Sequence, residues 1–373
     1  MKVFGSKELL EDVFAREHCV SCGACVNLCP YFINYRGKTT QVFPCTLTVG
    51  RCNAYCPKVE VDLNELSEAI FGEPYRGSPM GTFRRVLTAS AGDKLPKGNF
   101  QCGGTVSALA AAAIASGVAT GAVLTGKDEV TLMPEPRLAE TVDEVLACSS
   151  SKFTAAPTLS RLNTAASEGK TGLAVVATPC QATAVAQMRQ NPTSREGFVD
   201  PASVVIGLFC TWAVDARKLT ALVFSELGDC TVCRMDMPPP PSELLVVEAQ
   251  GSRVEIPLAK VRPLIPKGCF VCPDMTSEWA DVSVGVVEGI PDLNTLIIRT
   301  EAGEKLVDKA CEMGLLKTEK VDQEKLAHLM TASSNKKKRA FTQMEKMGAV
   351  LAPDAEGRAI VRVRKEILER IMA

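Results

Sequence analysis

The sequence predicts an α/β protein with a mixed-sheet body, preceded by a small cysteine-rich α+β domain and followed by a helical C-terminal tail. Three observations carry that expectation. Continuous β-branched runs, LAVVATP (Leu173 to Pro179) and SVVIGLF (Ser203 to Phe209), read as strands buried on both faces. Helical stretches separate such runs, among them an Ala-rich segment after Gly103. Seven of the sixteen cysteines fall between Cys19 and Cys56 and none follows until Cys102, which marks off an N-terminal unit.

Taken in order, residues 1–70 form that unit, whose candidate metal ligands are local, so it is expected to fold independently. The turn-rich connector FGEPYRGSPMG (Phe71 to Gly81) leads into a body over residues 80–300. FRRVLTASA opens the body as a strand, and a glycine pair then introduces the Ala-rich helix, Gly117 and the strand AVLTG. MPPPPSE (Met237 to Glu243) reads as a rigid linker, and ELLVVEAQGSRVEIPL as a hairpin turning at Gln250-Gly251-Ser252. Residues 301–373 are charged and helical in pattern, and the basic run Lys336-Lys337-Lys338-Arg339 is expected to form a solvated face.

Composition narrows the function classes. With 42 basic against 43 acidic residues there is no charge excess pointing to nucleic acid or a membrane surface. The N-terminus has no apolar core of a signal peptide, which predicts a cytoplasmic protein. Val106 to Leu124 is too rich in Ala, Gly, Ser and Thr to favour lipid, and reads as a buried helix running into a buried strand. Sixteen cysteines in a chain of this length without an export signal imply reduced thiolates that bind metal, not a disulfide scaffold. Only His18 and His328 occur, which argues against histidine-based zinc, copper or haem sites.

Cys19-x2-Cys22-x2-Cys25-x3-Cys29-Pro30 has the spacing with which bacterial ferredoxins hold 4Fe-4S clusters. The second half, Cys45-x6-Cys52-x3-Cys56-Pro57, lacks its middle cysteine, with Val49 near that place. Cys56 can complete a cube with Cys19, Cys22 and Cys25. That leaves Cys29, Cys45 and Cys52 for a 3Fe-4S cluster, a cube with a ligand from elsewhere, or a remnant without metal. In the body, Cys180 and Cys210 each follow a strand, where open α/β sheets place ligand-binding groups. With Cys269-x2-Cys272 they either converge on one cube or are small core residues. Cys230-x2-Cys233 is a rival pair, too far from Cys269 for a zinc ribbon. Gln101-Cys102-Gly103-Gly104-Thr105 stands at a helix start, where backbone N–H groups could meet a pyrophosphate, although no G-x-G-x-x-G accompanies it.

These pieces together resemble the beta subunits of coenzyme F420 hydrogenases and dehydrogenases, a family that also includes 7-hydroxymethyl chlorophyll a reductase. The resemblance runs from about Cys19 to Gly285, on QCGGTVSALAAAAIASG, PEPRLAETVDEVLACSSSKFTAAPTL, TPCQ, LFCTW and CFVCPDMTSEWADVSVG. It implies an FAD-binding body with a 4Fe-4S cluster on Cys180, Cys210, Cys269 and Cys272, and a ferredoxin-like N-terminal domain. Gln101, Gly103, Gly104, Thr105, Ser151, Lys152 and Thr178 would then line the flavin, with Lys152 as a cation near its pyrimidine edge. Asp281, Ser283 and Gly285 would close the cluster loop against the flavin pocket, or simply start a strand. The family's Gly-Ser-Lys-Tyr stretch reads Ser150-Ser151-Lys152-Phe153 here, losing a glycine and a phenol.

The activity so implied is that of an FAD-dependent iron-sulfur oxidoreductase. Electrons pass between a soluble two-electron carrier of the F420 type and two 4Fe-4S clusters, with a third cluster open, and on to partner subunits or a ferredoxin. The competing class is an electron-relay subunit with no free substrate of its own; a zinc-bound scaffold is the third.

Overall fold

Four apolar runs form the parallel centre of an eight-stranded sheet: Gly121–Lys127, Leu173–Ala177, Ala202–Leu208 and Val282–Val287. The structure is a computed structural model, and it describes residues 2–128, 131–190, 198–228, 231–238 and 241–373. Antiparallel strands extend both sides of the centre. Ile290–Ile298 folds back on Val282–Val287 and is followed by Arg85–Ala91 and Leu316–Lys320, while Pro134–Ala139 closes the opposite edge. The sheet is therefore mixed, with Val123, Val175, Val204, Val205 and Ile206 wholly buried at its centre.

The Ala-rich segment is the helix Thr105–Ala115, and Ala108 to Ala113 are buried on all sides. A helix apolar all round must lie inside, and small side chains let it approach the sheet closely. Gly103 fits this start because a Cβ there would lie 2.7 Å from the Asp292 carbonyl oxygen. The expected hairpin is also formed: Leu244–Ala249 pairs with Ser252–Pro257 across Gln250-Gly251, and Val232–Asp236 adds a third strand. Within the linker, Pro239 and Pro240 lie outside the described residues.

Residues 1–70 do not stand apart from the body. Val20, Cys22, Ala24, Tyr55, Leu63 and Leu66 belong to the same core as Leu159, Leu162 and Val185. Asn163 donates its side-chain amide to the carbonyl oxygens of Gly23, Ala24 and Val26 at 3.3, 3.1 and 2.7 Å. Backbones touch here: a Cβ on Gly268 would meet the His18 carbonyl oxygen at 2.0 Å.

The C-terminal residues are not only a helical tail. Leu316–Lys320 is an edge strand of the main sheet, and Val350–Leu351 and Val361–Arg362 form a parallel three-stranded sheet with Val61–Asp62 of the N-terminal unit. Between them runs the helix Gln323–Lys346, which buries Ser333, Lys336, Lys337, Ala340, Phe341 and Met344. Those positions follow the i, i+3, i+4, i+7 spacing of one helix face. The basic run is therefore not a solvated face: Lys336 and Lys337 occupy core-facing positions, and only Arg339 is exposed. Lys337 is neutralised by Glu278 at 2.6 Å and also donates to the Tyr75 hydroxyl and the Ser78 carbonyl.

Where the C-terminal and N-terminal strands meet, Glu60 and Arg362 form a second buried ion pair at 2.6 Å. Arg362 further donates to the carbonyl oxygens of Ala352, Ala355 and Gly357, so most of its donors are used. Removing one partner of such a pair strands the other charge, a loss of about 3–5 kcal/mol. Arg362→Met is expected to lower unfolding free energy by about that amount in urea titrations at unchanged slope. A change below about 1 kcal/mol would show that the strand pairing does not depend on this charge.

Candidate metal and cofactor centres

The N-terminal cysteine loop turns through left-handed backbone at Ser21, Gly23 and Asn27. These turns bring Cys19, Cys22, Cys25 and Cys56 around one cavity, whose other walls include Leu9, Val13 and Phe14. Burial pushes the thiols of Cys22 and Cys25 well up and that of Cys56 up to about 12, and neighbouring thiolates add to each shift. Such thiols stay neutral unless a cation takes their charge. One backbone N–H, that of Ser21, already donates to the Cys19 sulfur at 3.4 Å. Four thiols facing one apolar cavity are a donor set that fits a 4Fe-4S cube.

Cys29, Cys45 and Cys52 form a separate, shallower group. Burial raises the Cys52 thiol to about 11, with Cys29 and Cys45 as the neighbouring charges. Exposed apolar side chains surround this part of the sequence, including Tyr35 at 64%, Phe43 at 61% and Leu47 at 67% exposure.

In the body, the strand Leu173–Ala177 ends at Thr178, and Cys180 lies in the first turn of the helix Pro179–Gln190. Cys210 follows the strand Ala202–Leu208 and is held by its N–H to the Met275 carbonyl at 2.9 Å. Cys269 and Cys272 come from the loop that crosses these strand ends. Burial lifts Cys180 to about 11 and Cys210 higher still, and both feel Cys269 and Cys272 as neighbouring charges. Cys180 and Cys272 line a second cavity with Thr183, Asp274 and Trp279. Among the described residues no three His, Cys, Asp or Glu side chains crowd closely enough to hold a single ion. Pro57 and Lys58 line both cavities, so one dipeptide forms the wall between the two thiol sets. Cys22 feels Cys180 across it. Of the rival pair, Cys233 is exposed on the strand Val232–Asp236, and Cys230 lies outside the described residues.

Three buried cations lie around the body thiols and their loop: Lys58 and Arg299, which the sequence reading did not single out, and Lys336, which it expected on a solvated face. Lys58 is 3% exposed and acts on Cys180 and Cys269. Lys336 donates to the carbonyl oxygens of Cys210 and Asp274, both at 2.6 Å. Burial opposes its charge, but Cys272, Cys210 and Asp274 more than offset this, leaving its pKa above the ordinary lysine value. Arg299 holds the cysteine loop, donating to Ser283 Oγ, to the carbonyls of Met80 and Thr82, and to Thr276. Burial pulls its pKa down to about 10. Asp281 and Ser283 brace the same loop: Asp281 accepts from Val205 N and Thr300 Oγ1, and Ser283 donates to the Ser277 carbonyl. Gly285 lies beneath the Phe209 ring, where a Cβ would fall 1.9 Å from a ring carbon.

The residues expected to line a flavin fall into three places. Gln101, Gly103, Gly104 and Thr105 lie at the start of the Ala-rich helix beside Asn294, whose Oδ1 accepts from Thr105 N at 3.4 Å. Gln101 Oε1 and Thr105 Oγ1 are buried without a hydrogen-bond partner among the described residues. The unpartnered Thr105 hydroxyl, a donor beside a glycine pair and a helix N-terminus, fits a phosphate-bearing cofactor, whereas the Gln101 oxygen can only accept. Ser151 and Lys152 lie on a neighbouring loop, tied to that helix by Ser107 and Ser149 hydroxyls 3.3 Å apart. Lys152 donates to the Ser149 and Ser150 carbonyls of its own loop, and burial brings its pKa down to about 8. Thr178 instead joins the thiols, its hydroxyl 3.4 Å from the Cys180 sulfur.

The chain thus combines a mixed α/β sheet, buried thiols beyond two of its strand ends, a second thiol set beside them and a glycine-led helix start. Residues 86–163 match the family described as "Coenzyme F420 hydrogenase/dehydrogenase, beta subunit N-term", and residues 170–324 match its C terminus. The chain belongs to that family. It is 30% identical over 267 residues to the coenzyme F420 hydrogenase subunit beta of Methanothermobacter thermautotrophicus, covering 70% of this chain and 94% of that one. It is 27% identical to the coenzyme F420-dependent sulfite reductase of Methanocaldococcus jannaschii, over 80% of this chain and 46% of that protein. A chain of the F420-reducing NiFe hydrogenase complex from Methanosarcina barkeri superposes with a TM-score of 0.64 at 25% identity, over 72% of this chain and 93% of that one. No described helix is long and apolar enough to cross a membrane.

Ser150, a non-glycine residue, adopts φ +99°. A side chain in that region carries about 1–3 kcal/mol of strain. Glycine would release it and lose about 0.4–1 kcal/mol through the freer unfolded chain. Ser150→Gly is therefore expected to raise stability by about 1 kcal/mol, seen as a higher denaturation midpoint. A lower midpoint would mean that the serine makes a compensating contact.

Proposed function

We propose that this chain is an FAD-dependent iron-sulfur oxidoreductase subunit moving electrons between a two-electron carrier of the F420 type and one-electron partners. The observation that carries this reading is the Pro57-Lys58 wall shared by two thiol-lined cavities. Two such sets back to back serve electron passage, whereas a structural metal needs only one. On this reading Cys19, Cys22, Cys25 and Cys56 hold one cube, and Cys180, Cys210, Cys269 and Cys272 hold another. Gln101, Gly103, Gly104 and Thr105 hold the flavin phosphates, and Ser151 and Lys152 face its ring system. Bound flavin supplies the conversion between two-electron and one-electron transfer.

The chain's own residues supply orientation and exclusion of water. Arg299 and Asp281 fix the cysteine loop against the strand ends, and Thr178 positions the Cys180 sulfur. Cys29, Cys45 and Cys52 lie on the outer side, where the exposed apolar residues gather. No acidic residue occurs from His18 to Val59, while Arg36 and Lys38 are exposed there. This face suits an acidic redox partner, whose encounter would weaken with salt.

Protein purified without oxygen is expected to carry flavin and at least two cubes' worth of iron. Cys180→Ala and Cys210→Ala should each remove one cube's worth, and Cys233→Ala none. Stopped-flow mixing with reduced F420 should still bleach the flavin in Cys269→Ala, with slowed electron exit to a one-electron dye. Wild-type iron content in Cys180→Ala would reject the ligand set. Absence of flavin reduction by F420 would reject the carrier and favour a relay subunit without a free substrate.

A further inference from the structure

Two of the three buried cations around the body thiols come from outside the residues that match the family, 86–324: Lys58 from the N-terminal unit and Lys336 from the long C-terminal helix. Lys336 is the better defined. It is 5% exposed, and its two hydrogen bonds go to neutral carbonyls, those of Cys210 and Asp274. No carboxylate among the described residues pairs with it within the reach of an ion pair. The Asp274 carboxylate is engaged elsewhere, by the N–H groups of Thr276 at 2.9 Å and Glu278 at 2.8 Å. Its neighbour Lys337 provides the contrast, since Glu278 compensates that charge at 2.6 Å. An ammonium buried without an acidic partner is unfavourable unless other negative charge faces it. Here the groups whose charge acts on it are the thiols of Cys272, Cys210 and Cys269, together with the Asp274 carboxylate, which two backbone N–H groups already bind.

We propose that Lys336 is a positioning residue whose fixed positive charge raises the reduction potential of the iron-sulfur centre on Cys180, Cys210, Cys269 and Cys272, separating it from that of the N-terminal centre. The inference rests on the ligand assignment proposed above. One-electron reduction adds one negative charge to a thiolate-bound cluster. A cation held in the low-dielectric interior beside it stabilises the reduced state more than the oxidised one. The carbonyl bonds keep the ammonium in place. Both of its carbonyl bonds are made within the body, so the body centre is the one it adjoins.

The test is a redox titration of the full-length, iron-loaded protein followed by electron paramagnetic resonance, on wild type, Lys336→Gln and Lys336→Arg. Cys180→Ala identifies the body signal as the one that disappears. Glutamine can still donate to the carbonyls but carries no charge, so the body midpoint should move to more negative potential. The N-terminal midpoint should stay where it is, serving as an internal standard, and Lys336→Arg should stay near wild type. An unmoved body midpoint in Lys336→Gln at full iron content would overturn the proposal, as would an equal shift in both centres. Loss of the body iron in both variants would also overturn it, because the role would then be packing. Unchanged iron in Cys180→Ala identifies failure of the ligand assignment itself, which removes the basis of the inference.

Discussion

Negative charge on sulfur cannot be kept in an apolar interior without positive charge to meet it, and the architecture of this protein follows from that constraint. Burial, with neighbouring thiols adding to it, pushes the thiols of Cys22, Cys25, Cys180 and Cys210 above their ordinary range. Metal is one source of compensation. The fold supplies others from separate parts of the chain: the Lys58 side chain, the Lys336 ammonium, and a backbone N–H at Cys19. Arg299 adds no direct bond to sulfur but fixes the loop that carries two of the cysteines. Its donors reach Thr276 of that loop, Ser283 on the following strand, and Met80 and Thr82 of the connector, so it ties the three together.

That demand explains why the N-terminal unit and the C-terminal residues are built into the body. A free-standing cysteine module would need only its own loop. Here Gly23 and Gly268 allow backbone to lie on backbone, and Asn163 satisfies three carbonyls of the cysteine loop. The strands Val350–Leu351 and Val361–Arg362 then extend the N-terminal strand Val61–Asp62 and close over the same core. Lys58 and Lys336 are delivered to the body thiols only because both terminal regions are docked.

Much of this was legible in the sequence where the signal is local. The β-branched runs at Leu173 and Ser203, the Ala-rich helix and the Gln250-Gly251 turn reflect backbone periodicity and turn chemistry, which neighbouring residues decide. The grouping of Cys19, Cys22, Cys25 and Cys56 is likewise a matter of spacing. The C-terminal strands were hidden because two-residue pairings carry no period of their own. Arg299 and Lys58 were hidden because a single buried cation looks like any surface one until its partners, distant in sequence, are placed around it. The run Lys336 to Arg339 misled for the same reason, since charge composition predicts solvent and only the helical phase reveals the inward face. That phase was in fact present: Ser333, Ala340, Phe341 and Met344 share the face with Lys336 and Lys337.

Lys336 and Lys337 also show that burial by itself does not define a functional charge. Both are anchored by backbone carbonyls, and both sit on one turn of one helix. Lys337 meets Glu278 and the Tyr75 hydroxyl, so its charge is cancelled where it stands and its effect is to tie the connector near Ser78 to the body. Lys336 hydrogen-bonds only carbonyls, so its field extends to the groups able to hold negative charge around it, the thiols of Cys210, Cys269 and Cys272 and the Asp274 carboxylate. A structural role would be served as well by a paired or a neutral side chain. A charge without an ion-pair partner has an evident physical use where negative charge comes and goes, and the body thiols face Lys336 together with Asp274.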